Sequence, residues 1–235
     1  MSGYNKTSGE LSKDKASDDE YWSTFRAFFS NNVRRTTTYK NALLKSILDN
    51  LDDCENSNKG LLLPIDHIVE NVSEYYWRLV INHDLRQMRY NGSAQYSGIE
   101  QVLMTASERY SIAKGTPFES IRKSVQNEIY TDVEKIFKRY VFGALYDDLN
   151  GLVYAFDLRR QSKVNHLTIS LGAYQYMLKY KNTLEKLNYD MWSEATEKMN
   201  RDLPRPHSYP SPENIAAEHS NVSLYREILR QEFEV

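Results

Sequence analysis

Over residues 39–51 the apolar positions are Tyr39, Leu43, Leu44, Ile47, Leu48 and Leu51. That spacing predicts a helix buried along one face. A hydroxyl from the run Thr36-Thr37-Thr38 would cap its first amides. Pro64 then opens a second helix, where its missing N–H costs nothing, with Ile65, Ile68, Val69, Val72, Tyr76 and Leu79 on the buried side. A short helix is expected over residues 99–106. The run Thr116-Pro117-Phe118-Glu119 combines a cap, a first-turn proline and a capping-box glutamate. The helical period continues from there through Ile129 and Phe137 to about residue 142.

The period changes at residues 152–158 and 164–169. Both runs read as strands around a polar turn at 159–163, giving one β-hairpin. Helical spacing returns from Gly172, broken near Lys181-Asn182 into two helices that end near residue 200. Pro204, Pro206, Pro210 and Pro212 mark a connector. A short helix beginning at Ser211-Pro212-Glu213 and a last one over residues 222–233 follow it. Residues 1–19 hold one aromatic, Tyr4, among Ser, Lys, Asp and Gly. Such a stretch buries too little to offset its ordering entropy and is expected as a disordered tail. Residues 52–60 read as a polar loop. The fold class is therefore mainly α: a multi-helix domain over residues 20–200 with one small β-hairpin, followed by a Pro-rich connector and C-terminal helices.

Composition narrows the function classes. The 235 residues suit one domain, or two small ones, at roughly 100–200 residues each. Thirty Lys and Arg against 32 Asp and Glu leave a net charge of −2, which argues against a basic nucleic-acid arm or an acidic tail. No apolar run approaches the roughly 20 residues of a membrane span, and the first 20 residues lack the apolar core of a signal peptide. A soluble cytoplasmic protein is the expectation. The single cysteine, Cys54, allows no internal disulfide and no cysteine zinc site. It lies in a polar stretch without nearby bases, so a reactive thiolate is not expected.

Chemical motifs are scarce. There is no phosphate-binding glycine loop, no HExxH and no CxxC. The five histidines fall in separate segments. A site assembled from Asp66, His67 and Glu70 is a minor alternative, and Glu134-Lys135 reads as a solvated helix face. One charge feature stands out. Between Ser23 and Leu48 there are five bases (Arg26, Arg34, Arg35, Lys40 and Lys45) and no acid. Arg34-Arg35 precedes a helix start, where free amides and the helix dipole favour a phosphate. Arg86 and Gln87 could add contacts, with Tyr75, Tyr76 and Trp77 as stacking faces. Arg159, Arg160 and Lys163 place more bases at the hairpin tip. The alternative for all of these is a packed core with a solvated rim. The 18 tyrosines suit either core or interface.

The segment Thr36-Thr37-Thr38-Tyr39-Lys40-Asn41-Ala42-Leu43-Leu44 resembles the opening helix of a group of bacterial and phage HNH endonuclease proteins. The similarity runs on through Tyr75-Tyr76-Trp77, Leu85-Arg86-Gln87, residues 152–157, Ile169-Ser170 and residues 187–192. It covers most of residues 33–235. The resemblance implies a DNA-binding or scaffold region of an HNH endonuclease, in phage defence or a mobile element. The family's HNH module, with its histidine base, divalent metal and structural zinc, would begin about where this chain stops, so no catalytic or metal residue is carried over. DNA is then the expected partner, through Arg34, Arg35, Lys40, Lys45, Arg86 and Gln87. The alternative is a non-catalytic helical protein-interaction or regulatory protein.

Overall fold

The apolar runs near 154 and 167 do pair as a hairpin, but that hairpin is the centre of a larger sheet. Strands β1 (Ser8–Gly9), β2 (Glu55–Ser57), β3 (Gly60–Pro64), β4 (Tyr154–Asp157) and β5 (His166–Ile169) form one antiparallel sheet in the order β1-β4-β5-β3-β2. The register sets Leu63 against Leu167 and Tyr154 against Ile169, and these four side chains are buried. A single hairpin therefore understates the sheet. The computed structural model describes residues 6–13, 15–30, 36–89, 96–159, 161–162, 164–201 and 221–233, with side chains in the last stretch from Tyr225. Arg34, Arg35, Arg160, Lys163, most of the Pro-rich connector and the helix expected at Ser211 lie outside these residues.

Two sequence expectations meet a different outcome at the sheet. Residues 52–60 contain β2 rather than only loop; its Glu55, Asn56 and Ser57 are exposed, so no apolar alternation announces it. Part of the stretch expected as a disordered tail joins the sheet edge, with Ser8 opposite Asp157 and Gly9 opposite Phe156.

The described residues also form nine α-helices: α1 (Asp18–Phe29), α2 (Tyr39–Asp49), α3 (Ile65–Tyr76), α4 (Gly98–Arg109), α5 (Lys123–Tyr140), α6 (Phe142–Asp148), α7 (Leu171–Lys179), α8 (Lys181–Asn200) and α9 (Asn221–Phe233), of which α3, α6 and α7 pack against the strands. Their starts follow local chemistry. Ser17 and Ser97 each close a capping box, with Glu20 and Glu100, satisfying two orphan amides at once. The start expected at Thr116 is instead a short 3-10 turn, Phe118–Ser120, and α5 begins at Lys123. Thr38 precedes α2 without a side-chain cap, because its hydroxyl is used elsewhere. The core runs continuously through the faces of α2, α3, α5 and α8, with Trp77, Trp192, Tyr76 and Phe137 enclosed. No described helix is long and apolar enough to cross a membrane.

Candidate functional site

Helix α3 does not end at Tyr76. It widens into a π-helical segment, Trp77–Asn82, closed by Asp84 at φ 55°. Hydrogen bonding in a π turn runs between residues five apart, so residues at that spacing lie over one another. In an ordinary helix of about 3.6 residues per turn they diverge. Arg78 and His83 are five apart, and both reach the same residue on α9. His83 Nε2 lies 2.5 Å from Glu232 Oε1. Arg78 Nη1 donates to the Glu232 carbonyl at 2.8 Å, and its Nε is 3.9 Å from Glu232 Oε2. Glu74, one turn earlier, pairs with the same guanidinium. The His83 contact, with the Coulombic pull of His83 and Arg78, holds the Glu232 carboxyl below its ordinary value of 4.5, against the opposing effect of burial.

An aromatic trough adjoins this clamp. Phe233 packs on Trp192 with ring centroids 4.7 Å apart and meets Tyr75 edge-on at 5.3 Å. Tyr225, Ile228, Leu229 and Phe233 form the buried face of α9, which lies chiefly on α8. Lys45 closes the trough. Its Nζ is 5.4 Å from both the Tyr75 and Phe233 rings, and it pairs with Asp49 at 2.9 Å. Asp49 also accepts the Tyr75 hydroxyl. Burial, and next the Asp49 charge, push the Tyr75 phenol far above its usual value, so it stays a donor.

A buried polar network fixes the back of the trough. Gln87 Oε1 accepts from Trp192 Nε1 at 2.9 Å and from Thr38 Oγ1 at 2.7 Å. Thr38 Oγ1 is in turn 2.7 Å from the Tyr76 hydroxyl. The Gln87 N–H donates to Glu100 at 2.8 Å. Around it, Asn200 and the Arg86 backbone exchange two hydrogen bonds, at 2.8 and 2.9 Å. Asn41 and Asn188 tie α2 to α8 by reciprocal bonds of 3.0 Å.

These positions correct part of the nucleic-acid reading. Gln87 has no exposed surface; it orients Trp192 and cannot meet a duplex. Lys45 is 13% exposed and committed to Asp49. Lys40 pairs with Asp148 at 2.6 Å, away from the trough. Arg86 is half-buried, with its guanidinium over the Tyr96 ring. Arg34 and Arg35 lie outside the described residues. At the hairpin tip, Arg159 is bound to Asp157 by three contacts. Of the minor alternative, Asp66 accepts from Asn165. No group of acidic, histidine or cysteine residues suited to a metal ion occurs among the described residues. Burial, and next Asp53, raise the Cys54 thiol to about 11, consistent with an unreactive side chain. What the sequence reading missed is the pairing of Arg78 and His83, for which five-residue spacing is no signal unless the helix is known to widen.

A family described as a domain of unknown function, DUF8808, matches residues 31–145. The matched stretch holds Lys45, Tyr75, Arg78, His83 and Gln87, one wall of the trough, and excludes Trp192 and α9. The match carries no link to HNH endonucleases. No curated protein and no solved structure matches the chain.

Proposed function

We propose that this chain is a helical interaction module whose trough between α2, α3 and α8 receives an amphipathic helix bearing a carboxylate, the place taken here by α9. The observation that carries this reading is the Arg78–His83 pair, aligned by the π segment and set at the end of an aromatic trough. Aromatic anchors beside a charge-assisted contact are the usual anatomy of a helix-in-groove site. The competing reading, DNA contact ahead of an HNH module, draws less support, since Lys40 and Lys45 are neutralised internally and Gln87 is enclosed.

Amide exchange on the full chain tests the reading. A docked ligand-like helix opens below the global unfolding free energy, so residues 221–233 are expected to exchange before α8. Glu232→Gln is expected to lower their protection about tenfold, the scale of a charge-assisted hydrogen bond that is partly solvated. Because the Glu232 pKa is depressed in the folded chain, its contribution is complete above the ordinary glutamate value and is lost as pH falls through the folded one. Protection of α9 in the native chain should therefore drop on acidification by more than in Glu232→Gln. Common exchange of α8 and α9 in both chains would make α9 a fixed core element and remove the basis for the proposal.

A further inference from the structure

We infer that Lys45 makes one end of the trough selective for an aromatic ring, carried directly after the carboxylate of the helix received there. This rests on the trough reading above and narrows the class of helix that fits it. Lys45 Nζ lies 5.4 Å from the centroids of both the Tyr75 and Phe233 rings. An ammonium within about 6 Å of a ring centroid is attracted by the negative face of the ring. Glu232 and Phe233 are neighbours, so the clamp that Arg78 and His83 make on Glu232 also sets which side chain meets Lys45.

The cation is held by the trough itself. Lys45 Nζ donates to the two Asp49 carboxylate oxygens at 3.0 and 2.9 Å, and Asp49 also accepts the Tyr75 hydroxyl. All three residues belong to α2 and α3, so the lysine is ordered by groups that do not depend on α9. A contact arranged in advance favours whichever occupant can use it. A ring offers the ammonium its face. An aliphatic side chain in the same place would cover part of the charge and return nothing to it. The space also suits a ring. Phe233 packs against Trp192 with centroids 4.7 Å apart. The cavity left beside it, with Leu48, Glu185, Asn188 and Tyr189 among its walls, is about 10 Å³, room for about one water. Close fit alone would penalise any smaller side chain; the lysine adds a preference for aromatic character.

Amide exchange of residues 221–233 in full-length chains separates the two contributions. Phe233→Leu is made in the native background and in Lys45→Met, which keeps the length of the stem and removes the charge. The expected result is that Phe233→Leu lowers α9 protection about three- to tenfold more in the native background, the fold-change of a partly desolvated cation–π contact. Lys45→Gln, also uncharged, gives the same comparison through a different side chain. Lys45→Arg keeps a cation able to stack on a ring and is expected to retain the larger loss. Equal losses in the native, Met and Gln backgrounds, with α9 still opening before α8, would overturn the selectivity while the trough reading stands. A preference lost in Lys45→Arg as fully as in Lys45→Met would assign it to packing of the lysine stem and overturn the selectivity as well. Common exchange of α8 and α9 in every chain would remove the trough reading, and the selectivity with it.

Discussion

Replacing Trp192 by alanine is expected to destabilise the chain by about 3–5 kcal/mol, the range for removing a large enclosed aromatic. Trp192 has no exposed surface. Its ring lies within 6.4 Å of Tyr75 and Tyr76 and 4.7 Å from Phe233, and its Nε1 is one of two donors to Gln87 Oε1. Deletion opens a cavity where α2, α3, α8 and α9 meet. Trp192→Phe separates the two contributions: it keeps most of the apolar volume and loses the N–H, so about 1–3 kcal/mol is expected. Urea unfolding reads both as a lower midpoint at constant slope. A Trp192→Ala chain as stable as the native one would mean that the network behind the trough does not hold it.

Gly60→Ala is expected to be the most damaging small substitution in the sheet, at about 3 kcal/mol or more. Gly60 begins β3 with φ 134°, and a Cβ there would sit 2.4 Å from the Ile169 carbonyl oxygen. That oxygen belongs to the neighbouring strand, which cannot rotate aside as a side chain would. Gly115 supplies the comparison: its φ is 83°, but nothing lies within 4 Å of an added Cβ. Gly115→Ala then carries only the conformational cost, about 1–2 kcal/mol. Thermal unfolding of the two variants should show the larger fall for Gly60→Ala; equal falls would mean that the β3–β5 pairing relaxes freely around the new methyl.

The legible parts of the fold were those with a local pattern. The spacing of Ile65, Ile68, Val69 and Val72 marks α3, and the expected last helix, 222–233, is one residue short of α9 as found. The break near Lys181 matches the junction of α7 and α8 at Tyr180. The hairpin announced itself by its apolar runs, whereas β1 and β2 did not. β1 is two residues long, β2 is polar throughout, and each exists through a partner strand.

The candidate site was the least legible part. A glutamine between two arginines reads as surface, yet Gln87 is drawn inside by Trp192, 105 residues away. Lys45 belongs to a basic stretch in sequence, but its charge is answered one helical turn later by Asp49. His83 and Glu232 are 149 residues apart. Their meeting depends on a local widening of α3 that no apolar period encodes.

The most direct test of the trough is binding in trans. A labelled peptide with the sequence of residues 221–233 is titrated into the full-length Phe233→Ala chain, whose own α9 has lost its principal anchor, and followed by fluorescence anisotropy. The account predicts saturable binding, tighter than to the native chain because the resident helix competes at high effective concentration. It also predicts weakening of about tenfold or more when the peptide carries Glu232→Gln or the protein carries Arg78→Ala. No saturable binding to either chain, or binding indifferent to both substitutions, would contradict it.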